Sequence, residues 1–302
     1  MSRYYPAVSL ACEVLAGSCA ASVTRAAQGP LTSVYRVVLP DGRRVVVKLF
    51  APRARHDAGA EALALRAVAE SGRVDVPEVI GAGPVPGFSS TALVSEDAGA
   101  HTLGGLVRAG LVAPEGALGC LGVLLGAFHS LTPPAGVPMA PGITEQARAV
   151  LRRCPSCLAS WLKPALEVIA RGCADPAAFV WCHGDLHWDN VIAADGLEHL
   201  ADAGTQGQLP GRVRVVDFEG TTLCVPEYDV AQTLVTCDAL TPAARASVTT
   251  AYGRPLDPRL LDALVVFQTL RGWTFAARIE RRDQRVWAAR LHRVLHDQGI
   301  RI

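Results

Sequence analysis

The sequence predicts an α+β protein: a small antiparallel sheet with one helix in residues 1–98, then a larger, mainly helical part in residues 99–302. Three observations carry this. The β-branched runs "VYRVVL" (34–39) and "RRVVVKLF" (43–50) are joined by "PDG", a hairpin signal. Residues 57–71, "DAGAEALALRAVAES", place alanine and leucine at helical spacing. After Asp97 the pattern turns to long apolar stretches of helical period, broken at Pro133, Pro134, Pro138, Pro141, Pro242, Pro255 and Pro258.

Taken in order, "AAQGPLTS" before the hairpin is a small-residue turn with hydroxyls, so the chain begins strand, loop, strand, hairpin, strand. The helix of 57–71 follows. A further strand pair is expected in "EVIGAGPVPGFSSTALVSED", turning near Pro86 and Gly87. Helices are expected at 115–130, 157–171, 226–238, 241–252, 257–279 and 283–298. Two short β-branched runs interrupt them, "NVIAADG" and "RVRVVDFEG", which read as a buried hairpin with acidic residues at its ends. The polar, glycine-rich stretch between those runs is expected to be a mobile connection.

Composition narrows the class of partner. At 302 residues, 50% apolar and a net charge of +1, the chain supports a large buried core and has no charge balance suited to nucleic acid or an anionic membrane. The apolar stretch near the N-terminus is interrupted by Glu13 and is read as folded protein, and no run is long enough to span a bilayer. Nine irregularly spaced cysteines fit a reducing, cytoplasmic setting better than a disulfide framework. The pair "CPSC" (Cys154, Cys157) with His292 and His296 matches no zinc-finger spacing, so free thiols and surface histidines are the plainer reading. Only Lys48 and Lys163 stand among 29 basic residues, and the other 27 are arginine. A lysine that survives such a bias is a candidate for a role arginine cannot fill, and Lys48 lies mid-strand.

The densest polar cluster is "WCHGDLHWDN", Trp181 to Asn190. Asn190, with Asp217 beyond it, offers hard oxygen ligands of the kind magnesium takes alongside phosphates and water. Asp185 then remains to accept a proton from an attacking hydroxyl. For an isolated "HGD" the ordinary reading is a tight turn satisfying its own backbone. The agreement of three separate segments argues for chemistry.

The combination "VVVKLF", "AEALALRAV", "HGDLHWDN" and "VVDFEG" resembles the aminoglycoside phosphotransferase and choline kinase-like group, small-molecule kinases with a protein kinase-like fold. The resemblance runs from about Ser22 to about Thr236. It implies a bilobal architecture, with an N-terminal nucleotide-binding lobe in 1–98 and a C-terminal catalytic and substrate-binding lobe in 99–302. ATP or GTP and Mg2+ are the implied cofactors. Lys48 resembles the lysine that holds the α- and β-phosphates, and Glu61 the glutamate that pairs with it. Asp185 resembles the catalytic aspartate, with His183 bracing its loop, and Asn190 and Asp217 the two metal ligands. Thr32 and Ser33 stand where backbone and hydroxyls cover the phosphates, and Ser95, Glu96, Asp97 and Ala98 where the adenine edge is read. Asp229 resembles an aspartate that braces the catalytic loop.

Two departures bear on function. No GxGxxG loop is present, and Glu219 replaces the glycine of "DFG", both as in the small-molecule branch and both against protein kinase activity. Residues 230–302 hold eleven arginines against six acids, which favours an acceptor less cationic than a classical aminoglycoside unless the arginines, as in "RIERRDQR", form a solvated helix face. Asp189 and Glu227 are candidate pocket acids. Trp181, Trp188, Trp273 and Trp287 are candidate stacking residues, Trp188 first because it lies in the catalytic loop. The expected function is phosphorylation of a hydroxyl on a small molecule, most simply an antibiotic or related natural product, in a monomer or dimer. The alternatives are a primary-metabolite kinase (amino alcohol, sugar or homoserine type) and a nucleotide-binding regulator without catalysis. The regulator is disfavoured because the lysine and both aspartates are present.

Overall fold

A computed structural model describes residues 5–29, 31–52, 58–137, 142–193, 212–276 and 284–297. Two compact units make up the chain. The first holds Met1–His101, Ile192–Asp195 and Arg212–Gly220, and the second Thr102–Val191, Gly196–Gly211 and Thr221–Ile302. The connection expected to be mobile (194–211) and most of "RIERRDQR" lie outside the described residues.

The first unit opens with α1 (Tyr5–Ala16), followed by β1 (Ser22–Gln28), β2 (Thr32–Val38), β3 (Arg44–Phe50), α2 (Ala58–Ser71), β4 (Val79–Pro84) and β5 (Thr91–Glu96). The strands form one antiparallel sheet in the order β1-β2-β3-β5-β4. The "PDG" turn closes as expected: Gly42 takes φ 85°, which glycine reaches without strain, and its N–H donates to Leu39 O at 2.9 Å. Strand alternation then sets the two faces. Val45, Val47 and Leu49 join Tyr35, Val37, Ala92 and Val94 in a core covered by Ala7, Val8, Ala11 and Cys12 of α1. Lys48 projects from the opposite face of β3. Helix α1 had been read only as folded chain, yet its buried positions 7, 8, 11 and 12 follow the helical period. The runs that were expected to pair do so, for Val191–Ala193 and Val213–Val215 are neighbours in a three-stranded sheet.

The second unit is helical: α3 (Leu103–Arg108), α4 (Pro114–Phe128), α5 (Ile143–Leu151), α6 (Ser156–Gly172), α7 (Pro226–Thr236), α8 (Pro242–Tyr252), α9 (Pro258–Ala276) and α10 (Gln284–Asp297). Pro242 and Pro258, read as breaks, are the first residues of α8 and α9, where the missing N–H costs nothing. The short helices α3 and α5 were not foreseen, since glycines and prolines around them obscure the period. Helix α9 is apolar on nearly all sides and forms the centre of the unit, with Leu260 through Leu270 largely buried. Two short strands, Val180–Cys182 and Thr222–Cys224, pair antiparallel and deliver the chain into the "HGD" loop.

Among the described residues no helix is long and apolar enough to cross a membrane. Among the cysteines whose side chains are described, none is in a disulfide.

Candidate active site

In the first unit, the β3 lysine is enclosed by carboxylates. Lys48 Nζ donates to Glu61 Oε2 at 2.8 Å and to Asp217 Oδ1 at 2.5 Å, and lies 3.1 Å from Glu219 Oε2. Lys48 and Glu61 are 7% and 3% exposed, so this charge group is withdrawn from water. Glu61 reaches it from the first turn of α2, and its second oxygen accepts the Phe218 N–H at 3.1 Å, which ties the helix to the segment carrying Asp217. Burial pulls the Lys48 ammonium toward neutrality, but Asp217, Glu61 and Glu219 outweigh it and raise its pKa. Burial in turn pushes Glu61 up to about 7 against the pull of Lys48.

Asp217 adopts φ 68°, a left-handed conformation that a non-glycine residue holds only when its surroundings impose it, at about 1–3 kcal/mol. Strain of this kind gathers where a side chain must be aimed. Oxygens of Glu61, Asp217 and Glu219 lie within 4.8 Å of one another. Three carboxylates and one ammonium leave a formal charge of −2, and the donors are all hard oxygen, a set that fits a divalent cation such as Mg2+. Glu219 was read from sequence only as a departure from "DFG", and its place in this cluster was missed.

The nucleotide candidates belong to the same unit. Ser33 is a buried member of β2 opposite Leu49, and Thr32 opens that strand opposite Phe50. Ser95 and Glu96 end β5 opposite Val46 and Val45, and the Asp97 N–H donates to Arg44 O at 3.2 Å. The side chains of Glu96 and Asp97 are held by Arg214 at 3.0 Å and Arg36 at 3.2 Å, and Ala98 is buried.

In the second unit, "HGDLHWDN" is a loop anchored from below by α7. Asp229 is fully buried, and its carboxylate accepts the N–H groups of His183 at 2.7 Å and Gly184 at 2.8 Å. Its Oδ2 also lies 3.1 Å from His129 Nε2, while His129 Nδ1 is 3.0 Å from the Tyr252 hydroxyl. A carboxylate only accepts, so the His129 Nε2–H is the donor to Asp229. Burial works against the Asp229 charge, but the His129 bond and the backbone donors prevail and hold its pKa below the ordinary 3.8. His183 is itself buried, with Nδ1 accepting the Asp185 N–H at 3.3 Å, and the Asn190 amide donates to Asp185 O at 2.9 Å. The Asn190 nitrogen thus points into the loop, and its side-chain oxygen is not used in that bond.

A test of the anchor follows. Asp229→Ala leaves two loop N–H groups and His129 without their acceptor, and is expected to destabilise the protein by about 3–5 kcal/mol in urea unfolding. Because the folded-state pKa is depressed, the contribution of Asp229 is complete above 3.8 and is lost as pH falls below it. Asp229→Asn should therefore flatten the acid limb of the stability curve relative to wild type.

The remaining candidates divide. Asp189 Oδ1 accepts from Thr102 Oγ1 at 3.0 Å, and both of its oxygens accept from Arg108, at 2.6 and 3.2 Å. Gly104 makes this approach possible, since a Cβ there would stand 2.5 Å from Asp189 Oδ1 and 2.8 Å from Trp188 Cδ1. Trp188 is half-buried beside it. Glu227 is buried and accepts the Asp257 N–H at 2.8 Å, so its carboxylate serves the fold and is not displayed to a ligand. Trp181 is a fully buried core residue packed 4.9 Å from Phe128, so it is no stacking wall, and Trp287 is half-buried against Gly272 with Arg290 over its ring. Five of the eleven arginines in 230–302 are used internally: Arg245 pairs with Asp262, Arg254 donates to His129 O, Arg271 to Tyr228 and Gln268, and Arg290 and Arg293 meet Asp238. The positive excess in that segment is therefore no measure of the field a ligand meets.

His187 and Gln232 were not singled out from sequence. Gln232 Nε2 donates to Asp185 Oδ1 at 3.1 Å, and His187 Nε2 lies 3.8 Å from Asp185 Oδ2. His187 stands two residues past Asp185 in the same motif, and Gln232 three residues past Asp229 on α7.

Comparison with known proteins identifies the family and the fold. Residues 22–264 match the model of the phosphotransferase enzyme family, and the chain belongs to that family. Streptomycin 6-kinase of Streptomyces griseus is 31% identical over 180 residues, covering 57% of this chain and 53% of that protein, so the match spans about half of the relative's length. Among solved structures, choline kinase LicA from Streptococcus pneumoniae superposes with a TM-score of 0.67 at 14% identity, over 99% of both chains. The GDP complex of aminoglycoside 2'-phosphotransferase-IIIa gives 0.64 at 18% identity, again over 99% of both. These likenesses establish a protein kinase-like fold.

Proposed function

We propose that the chain is an Mg2+-dependent O-phosphotransferase that moves the γ-phosphoryl group of ATP or GTP to a hydroxyl of an antibiotic. The observation that carries this is the buried ammonium of Lys48 gripped by Glu61, Asp217 and Glu219, with Asp217 aimed by a left-handed backbone. Lys48 meets the α- and β-phosphates as a compact point charge, and Glu61 fixes its direction. Asp217 would hold Mg2+, with Asn190 the second ligand that the family resemblance implies, and the ion when bound would neutralise charge on the phosphates. Asp185 takes the proton of the acceptor hydroxyl as the acceptor oxygen bonds to the γ-phosphorus, and the bond from that phosphorus to the bridging oxygen breaks, releasing ADP or GDP. His183 and Asp229 keep the loop backbone in place and do no chemistry. Segments 32–33 and 95–98 offer backbone groups to the phosphates and to the base edge. Cysteines that form no disulfide among the described residues support action in a reducing compartment, the cytoplasm.

The antibiotic acceptor is supported by the 31% identity to a streptomycin kinase, and nucleotide use by fold neighbours bound to AMP and GDP. Magnesium-dependent ADP release across streptomycin, other aminoglycosides, macrolides, peptide antibiotics and amino alcohols tests the reading. Release stimulated by one antibiotic is expected, whereas stimulation by choline or another amino alcohol alone would move the chain to primary metabolism. Lys48→Arg is not conservative here, because a planar fork cannot replace a point charge among three carboxylates. It is expected to lower kcat/KM for Mg-ATP by about 100-fold.

A further inference from the structure

Three side chains of α7 grip consecutive parts of the catalytic loop. Asp229 accepts the N–H groups of His183 and Gly184, Gln232 Nε2 donates to the Asp185 carboxylate at 3.1 Å, and Thr233 Oγ1 donates to Leu186 O at 2.6 Å. Positions i, i+3 and i+4 share one helical face, so a single stripe of α7 lies along residues 183–186. Asp229 and Thr233 are wholly buried and meet the loop through its backbone groups. Gln232 is the member that touches a side chain, and that side chain is the proposed base.

We propose that Gln232 is a positioning residue for Asp185: its amide fixes the carboxylate through Oδ1 and so sets the direction of Oδ2 toward the acceptor hydroxyl. The inference rests on the reading of Asp185 as the base. An aspartate carboxylate rotates about a broad torsion unless a partner restrains it, and an ill-aimed base costs rate without costing nucleotide affinity. His187 does not supply the restraint. Its Nδ1 accepts the Asp189 N–H at 3.2 Å, and its Nε2 is 3.8 Å from Oδ2, beyond hydrogen-bond reach.

The test uses the full chain and needs no acceptor, since the probe is slow hydrolysis of Mg-ATP by water, read as ADP release. Gln232→Leu is expected to lower kcat about 10- to 100-fold with KM for Mg-ATP and the unfolding midpoint unchanged. Asp185→Asn should lower kcat at least as far, and the double variant no further than Asp185→Asn alone, because the amide acts only through the carboxylate. Wild-type kcat in Gln232→Leu beside a dead Asp185→Asn overturns the positioning role and leaves the kinase reading standing. Additive losses in the double variant, or a loss of kcat that tracks a lowered unfolding midpoint, also overturn it. Full activity in Asp185→Asn instead removes the base assignment itself.

Discussion

Asp185→Asn is expected to bind Mg-ATP within about threefold of wild type while its phosphoryl transfer falls about 1000-fold, the upper range for loss of a positioned general base. The substitution keeps the shape of the side chain and its bond to Gln232 can be re-formed, so the loop, pinned at its backbone by Asp229, should stay in place. What is lost is the ability to take a proton. Affinity measured by calorimetry and rate measured by ADP release must therefore separate. Parallel loss of both would show that Asp185 shapes the nucleotide site and is not the base.

Asp217→Asn should lose both properties. The carboxylate is part of the hard-oxygen set, and its Oδ1 is 2.5 Å from Lys48 Nζ, so neutralising it disturbs the metal position and the lysine together. Turnover is expected to fall about 1000-fold and Mg-ATP affinity about 100-fold, with affinity for ATP in EDTA nearly unchanged. The contrast between the magnesium and EDTA titrations identifies the role. Unchanged Mg-ATP affinity would strip Asp217 of its metal assignment.

The sheet and the long helices were legible because their signals are local. "VVVKLF" alternates, "PDG" turns, and α2 repeats at helical spacing whatever the rest of the chain does. Lys48, Glu61, Asp185, Asn190 and Asp217 were legible through the motifs that carry the family resemblance, and the structure sets the first two with the half-buried Asp217 in one cluster and the other two in one anchored loop. Residues whose roles are tertiary were not legible. Glu219 reads as a motif departure until its carboxylate is seen 3.1 Å from Lys48, and Gln232 carries no motif signal until α7 is laid along the loop. His129 and Tyr252 are more than 100 positions apart in the chain from one another, and only folding shows that they support Asp229. Trp181 illustrates the opposite limit: a large apolar group in a motif was taken up by the core, where it packs on Phe128.

Phosphorus NMR of the protein with Mg-ATP and streptomycin, extended to the other antibiotics in turn, tests the central claim most directly. The account predicts loss of the γ-phosphate resonance with growth of a phosphomonoester signal coupled to a proton of the acceptor's carbon skeleton, absent with Asp185→Asn. A γ-phosphoryl group recovered only as inorganic phosphate with every acceptor, or a signal equally strong with Asp185→Asn, would contradict it.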